Sequence, residues 1–243
     1  RPVSLTVTFA GREMPLVSLG SQHWALLGVH PMAAPGFYPV AVRASAGLSQ
    51  NWEVPLRLYV AAGEFPAFDI VIPPSTGKDR LLDPKLIQDE MARLNAIFAG
   101  YSASRRWGGV FSAPLPASAL LVSSVFGERR SYNGGPVSSY HEGIDYAAPG
   151  GTPVFAPAAG MVVLAEALDV RGNAVILDHG YGVFTGYWHL REVSVKAGDP
   201  VRAGDVIGKV GTTGLSTGDH LHWELRVHGI AVDPAQWMEQ ARP

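Results

Sequence analysis

The chain has 243 residues, 47% of them hydrophobic and 16% charged, which supplies one large core or two modest ones and argues against disorder. Nineteen Lys and Arg against twenty-one Asp and Glu give a formal net charge of −2 with no basic cluster, which argues against a nucleic-acid partner. Cysteine is absent, which excludes disulfides, thiol catalysis and cysteinyl metal sites. The most apolar region, 117–125, is interrupted by serines and falls short of the roughly 18 apolar residues of a membrane span. The first residue is Arg1, so processing or truncation is expected, with any signal or anchor segment lying outside this sequence.

Leu5, Val7 and Phe9 alternate with Thr6 and Thr8, the period of a half-buried strand. A turn at Gly11 follows. Tyr38, Val40 and Val42 make a second alternating run after Pro35-Gly36, and Val54, Leu56, Leu58 and Val60 make a third. Short strands at this spacing predict a β-sandwich-like accessory domain over 1–73, in which His23 and His30 serve structure or docking. A linker over 74–105 is expected next, opening on Pro73-Pro74-Ser75-Thr76-Gly77 and carrying a helix over 84–99. Asp83 caps that helix, Pro84 takes its first position, Ile87, Met91, Leu94 and Phe98 form an apolar stripe, and Gly100 closes it in a left-handed conformation. The stripe predicts packing on a neighbouring domain.

The remainder, 106–243, reads as one compact antiparallel β domain without a major helix. The strand candidates are 154–164, 174–178, 183–189, 206–210 and 221–227, with glycine-bearing turns near 150, 172, 198 and 204. The fold class is therefore mainly β.

Histidine is unevenly placed: six of eight lie in the second half, at His141, His179, His189, His220, His222 and His228. In His220-Leu221-His222 the two imidazoles share one face of a strand, a pattern suited to metal binding or paired acid–base work. The run His141-Glu142-Gly143-Ile144-Asp145 carries an interior glycine and is followed by Ala-Pro-Gly-Gly, so it does not form a helix. In an extended segment, the offset of four puts His141 and Asp145 on one face and turns Glu142 away, which removes Glu142 as the general base. One histidine of this segment, Asp145 and one histidine of the pair make three nitrogen and oxygen ligands with a fourth position open, the composition of a catalytic zinc site. His189 and the other member of the pair remain for moving protons. His179, before a turn, reads as a solvated or capping residue, and His228 as a turn residue. The stretch from Gly204 to Val210 lacks the spacing of a phosphate loop.

Taken in order, these signatures resemble the lysostaphin/LytM-type zinc metallopeptidases of bacterial cell-wall turnover. The residues that carry the resemblance are H-x-G-x-D-x-A-x-x-x-G-T-P-V at 141–154, Asp178-His179-Gly180, Tyr187-Trp188-His189-Leu190, two Ala-Gly-Asp turns, and the run from Gly211 to Glu224 containing His220-Leu221-His222. They cover a little under half of the chain. The resemblance implies a lysostaphin-type fold for 106–243, one Zn2+ per chain on His141, Asp145 and His222, and catalysis by His189 and His220. It also implies a tyrosine that stabilises the transition state, Tyr132 or Tyr140. Latent relatives suggest Asn133 as a residue covering the open zinc position, in which case removing 1–105 raises activity. The implied substrate is a peptidoglycan peptide in the periplasm or cell envelope, with D,D-endopeptidase cleavage favoured over glycyl-glycine. The competing reading is a non-catalytic wall-binding or amidase-activating module. No nucleic acid and no membrane span in this chain are expected, and the oligomeric state is not legible.

Overall fold

The computed structural model describes residues 4–46 and 51–241, and the chain divides into two compact units, one ending at Glu64 and the other starting at Phe65. In the first, β1 (Ser4–Phe9), β2 (Arg12–Pro15), β5 (Gly36–Ser45) and β6 (Asn51–Val60) form an antiparallel sheet ordered β2-β1-β5-β6. The hairpin of β3 (Val17–Leu19) and β4 (Gln22–Trp24) stands apart from it. The alternation in the sequence places Val7, Phe9, Met14 and Val40 on the buried face, where Leu16, Ala25, Leu27 and Val29 pack against them. This makes the unit sandwich-like. His23 contacts Ser18 across the hairpin and His30 accepts the Met32 N–H, so both serve local turns.

The second unit begins with β7 (Ala67–Ile70) and α1 (Pro84–Phe98). It continues through β8 (Leu121–Ser124), β9 (Arg129–Tyr132), β10 (Ser139–Tyr140), β11 (Gly143–Ala147), β12 (Pro153–Phe155), β13 (Gly160–Leu168) and β14 (Gly172–Gly180). It ends with β15 (Val183–Leu190), β16 (Glu192–Val193), β17 (Pro200–Val201), β18 (Val206–Lys209), β19 (His220–Val227), β20 (Ile230–Val232) and a short α2 (Ala235–Glu239). The main sheet runs β17-β13-β14-β15-β19-β11-β8, with β20 also on β19. All its pairings are antiparallel.

Three features of the architecture differ from the sequence reading: the unit boundary, the end of the helix and one strand. The unit boundary at 64 rather than 73 reflects β7, which pairs in parallel with β9 and so belongs with the second unit. The helix packs on residues of 106–243, as its apolar stripe predicted: Leu94 and Phe98 are buried with Leu164, Ala174, Ile176, Phe184 and Trp188, which stabilises by roughly 1.5–3 kcal/mol for each such side chain. Its start is as expected, with the Asp83 carboxylate accepting the Lys85 N–H and Pro84 at the first position. Its end is not, because Ala99 closes it in ordinary helical geometry. The expected strand over 154–164 is two strands in two sheets, β12 on β18 and β13 on β14, separated where Pro157 interrupts pairing. Among the described residues, no helix is long and apolar enough to cross a membrane.

His179 is fully buried rather than solvated. Its Nδ1–H donates to the Ala159 carbonyl at 2.8 Å, its Nε2 faces the Thr185 hydroxyl at 2.7 Å, and Phe111 lies edge-on at 5.0 Å. Burial holds its pKa down to about 4. The unfolded chain therefore binds a proton at higher pH than the folded one, and stability is lost as pH falls below 6.5. From pH 7 to pH 5 this one group should cost about 2 kcal/mol. Urea unfolding of His179→Gln at the two pH values should show a pH dependence smaller than wild type by about that amount.

Candidate metal centre

The centre lies where β15, β19 and β11 run side by side. In the β11–β19 register Asp145 stands directly opposite His222, and Ala147 opposite His220. The i, i+2 spacing on β19 puts His220 and His222 on one face, and His141, four residues before Asp145, reaches the same point. Gly143 leaves room for this: a Cβ there would lie 2.3 Å from the Trp223 carbonyl oxygen and 2.8 Å from His222 Nε2.

His141, Asp145 and His222 are all buried and present three atoms to one point. His141 Nε2 is 2.9 Å from Asp145 Oδ1 and 2.9 Å from His222 Nδ1, and His222 Nδ1 is 2.8 Å from Asp145 Oδ1. The outer contacts decide what these atoms carry. His141 Nδ1 lies 2.8 Å from the Val125 carbonyl, which only accepts, so the proton sits there and Nε2 presents a lone pair inward. That lone pair meets a carboxylate oxygen, an arrangement favourable only around a cation. Burial pushes the His141 pKa to about 4, so a proton on Nε2 is disfavoured. Burial opposes charge on His222 and on Asp145 as well, yet their mutual attraction prevails, raising the first and holding the second well below the usual carboxylate range. The triangle is built for positive charge. Two imidazole nitrogens and one carboxylate oxygen suit a borderline ion such as zinc, whose tetrahedral ligand atoms stand about 3.3 Å apart, somewhat wider than here.

Surrounding groups fix each ligand. Arg130 Nη2 donates to Asp145 Oδ2 at 2.9 Å and to Ser124 Oγ at 2.9 Å, and Ser124 in turn donates to Glu128. Behind His222, Nε2 faces Glu224 Oε2 at 3.8 Å. Glu224 accepts the Trp188 indole N–H at 2.9 Å and pairs with Arg226. Arg226 pairs onward with Glu142, Glu142 with Arg171, and Arg171 with Glu90 on α1. Glu142 thus turns away from the triangle, as the odd offset predicted.

His189 and His220 stand beside the triangle with ring centres 4.9 Å apart. His189 Nδ1 donates to the Thr213 carbonyl at 2.8 Å, and His220 Nδ1 to the Gly218 carbonyl at 2.9 Å. Both therefore offer Nε2 lone pairs, and that of His220 is 3.9 Å from Asp145 Oδ1. Burial lowers the pKa of both, and in His189 the neighbouring His220 adds to the effect. His189 adopts φ +63°, a left-handed conformation that costs a non-glycine residue of order 1–3 kcal/mol and recurs at functional sites.

The remaining sequence candidates sit elsewhere. Asn133, at the corner after β9, accepts the Ile72 N–H on its amide oxygen at 2.7 Å, which ties that oxygen to the segment just after β7. Tyr132 lies on β9 opposite Ile70. Tyr140 places its hydroxyl 3.4 Å from Glu142, and burial raises its pKa strongly, keeping the hydroxyl protonated. A truncation at residue 105 would remove Glu90, Leu94 and Phe98 from the second unit. Sequence reasoning did not single out Ser124, Arg130, Glu224, Arg226 or Arg171 as site residues. The only signal for Glu224 was its i+2 spacing from His222 on the same strand.

Residues 139–234 match the model of peptidase family M23. The DD-carboxypeptidase/endopeptidase Mpg of Neisseria gonorrhoeae is 52% identical over 94 residues, 39% of this chain and 22% of that protein. The peptidoglycan DD-endopeptidase ShyA of Vibrio cholerae is 41% identical over 112 residues, 46% of this chain and 26% of that protein. The chain thus spans about a quarter of the length of these relatives. A solved Pseudomonas aeruginosa structure assigned to peptidase M23 aligns over 98% of this chain and 89% of that one, with TM-score 0.73 and 29% identity. A zinc-containing peptidase from Vibrio cholerae aligns over 55% of this chain and 41% of that one, with TM-score 0.51 and 31% identity.

Groups that orient metal ligands typically contribute 10- to 100-fold in affinity. Glu224→Gln and Arg130→Met should each weaken zinc binding by roughly that factor, read by competition with a chromophoric chelator. His189→Ala leaves all three ligand atoms in place and should stay within a few-fold of wild type.

Proposed function

With residues 139–234 belonging to peptidase family M23, we propose that the chain is a zinc-dependent endopeptidase hydrolysing peptide cross-links of bacterial peptidoglycan. The observation that carries this reading is the convergence of three electron-pair donors beside two further imidazoles whose inner nitrogens are free of protons. His141 Nε2, Asp145 Oδ1 and His222 Nδ1 would hold the ion. A zinc ion there supplies Lewis acidity toward a carbonyl oxygen and toward water.

The protein's own part is proton handling and alignment. The Nε2 lone pair of His220 or His189 takes a proton from the attacking water as its oxygen bonds to the scissile carbonyl carbon. The imidazolium so formed returns a proton to the leaving amine when the C–N bond breaks, and ends neutral as it began. For its neighbour, with ring centres 4.9 Å apart, to donate to the carbonyl oxygen where negative charge develops, its Nε2 would first have to take a proton from solvent. Glu224, Arg130 and the carbonyls of Val125, Thr213 and Gly218 move no protons; they hold ring tautomers and angles. The names of the relatives favour a D,D-cross-link over a glycine bridge, and a substrate of this kind would be met outside the cytoplasm, with the periplasm or cell envelope as the proposed location.

Purified sacculi and a defined cross-linked muropeptide test the reading. The zinc-loaded chain should release fragments, chelation should abolish release, and mass spectrometry should show cleavage at the D,D-peptide bond. Asp145→Ala and His222→Ala should lose zinc and about a thousandfold or more in rate. His189→Ala should lose rate while keeping zinc. Full cleavage by a folded, zinc-free Asp145→Ala variant would refute the metal's role. Tight wall binding by the zinc-loaded wild type without any bond scission would favour a non-catalytic module.

A further inference from the structure

Two side chains from outside residues 139–234 grip the loops that set His189 and His220. Lys78 lies between two short 3-10 turns, Pro74–Thr76 and Asp79–Leu82. Its Nζ donates to the Thr212 carbonyl at 2.8 Å and to the Ser216 carbonyl at 2.8 Å. Glu90, on α1, accepts the backbone N–H of Val170 at 2.8 Å and of Arg171 at 3.1 Å, besides the Arg171 guanidinium.

These loops do a defined job. The segment held by Lys78, from Thr212 to Ser216, contains the Thr213 carbonyl that fixes the His189 tautomer, and Ser216 Oγ donates at 2.8 Å to the Gly218 carbonyl that fixes His220. The segment held by Glu90 contains the Arg171 carbonyl, which accepts the His189 backbone N–H at 2.9 Å. The two loops press together so closely that a Cβ on Gly214 would lie 2.4 Å from the Gly172 nitrogen. His189 sits between them in its left-handed conformation, which persists only where surrounding contacts over-determine it. The metal ligands are placed differently, by the β11–β19 register and by groups near β8 and β9.

We infer that Lys78 and Glu90 are positioning residues that brace the proton-transfer histidines of the proposed hydrolase, Lys78 without touching the metal site and Glu90 while also ending the ion-pair chain that reaches Glu224 behind His222. An ammonium suits Lys78 because one group can donate to two carbonyls at once. The inference rests on the hydrolase reading for its kinetic consequence and on the loop contacts for its structural one.

The test is Lys78→Met in the full chain loaded with zinc, using the same cross-linked muropeptide. Displacing a catalytic group by about 1 Å costs near a hundredfold, so kcat should fall at least about tenfold while KM and zinc affinity stay within about twofold. The Nδ1–H proton resonances of His189 and His220 should broaden or vanish, and that of His141 should persist. Lys78→Arg, which keeps a multi-donor cation, should recover most of the rate. Glu90→Gln keeps one acceptor oxygen and should move kcat in the same direction by less. A folded Lys78→Met variant with wild-type kcat and unchanged histidine resonances overturns the inference. So does a loss of zinc in proportion to the loss of rate. If the zinc-loaded wild type cleaves nothing, the hydrolase reading fails, and the histidine resonances alone decide the brace: unchanged in Lys78→Met they overturn it, selectively lost they uphold it.

Discussion

Everything at the centre depends on where four imidazoles keep their protons. A neutral imidazole offers one donor and one acceptor, and a carbonyl on one side forces the lone pair to the other. The Val125, Thr213 and Gly218 carbonyls do this for His141, His189 and His220. Glu224 sits behind the outer nitrogen of His222. Without these outer partners the same rings at the same spacing would be a mixture of tautomers. With them, electron pairs converge on one small volume, which supports the proposed division into side chains that would hold a cation and side chains that would move a proton.

The two groups are positioned by different parts of the architecture. Asp145 faces His222 because β11 and β19 are neighbours in one register, and a one-residue slip would turn either side chain to the opposite face. That placement is rigid, being built into the middle of a sheet. His189 lies just where β15 ends, in a strained conformation, and His220 depends on a loop carbonyl. Their geometry is set by loops, which are more mobile than strands and need outside contacts to hold still. The segment containing Lys78 and Glu90 supplies those contacts, which gives α1 a role beyond its apolar face.

Much of this was legible in the chain, for a physical reason. The period of two fixed the shared face of His220 and His222, and the even offset from His141 to Asp145 held because Gly143 and the following Ala-Pro-Gly-Gly forbid a helix. Local signals also gave the cap at Asp83 and the turns at Gly172, Gly198 and Gly204, which all have positive φ. What escaped was non-local. Nothing near Arg130 in sequence announces that it reaches Asp145, and nothing near β7 announces its parallel pairing with β9. His179 read as a solvated or capping residue because a turn follows it, yet the sheet and Phe111 bury it. Asn133 likewise drew attention by chain position, while its side chain is spent on Ile72.

The charges around the centre make one further point. Two ion-pair groups flank the centre, Arg130 with Glu128 and Asp145 on one side and Arg171 and Arg226 with Glu90, Glu142 and Glu224 on the other, and His222 stands between Asp145 and Glu224. Together these carboxylates and guanidiniums carry a formal −2. Buried ion pairs are poor sources of stability, since desolvation offsets much of their attraction. Such groups are better understood as holding side chains in single orientations, and their unbalanced negative charge favours a cation over an anion at the centre. One surplus negative charge lies in each group, so the charges flanking the three converging lone pairs disfavour an anion there, and an apolar occupant would leave them uncompensated.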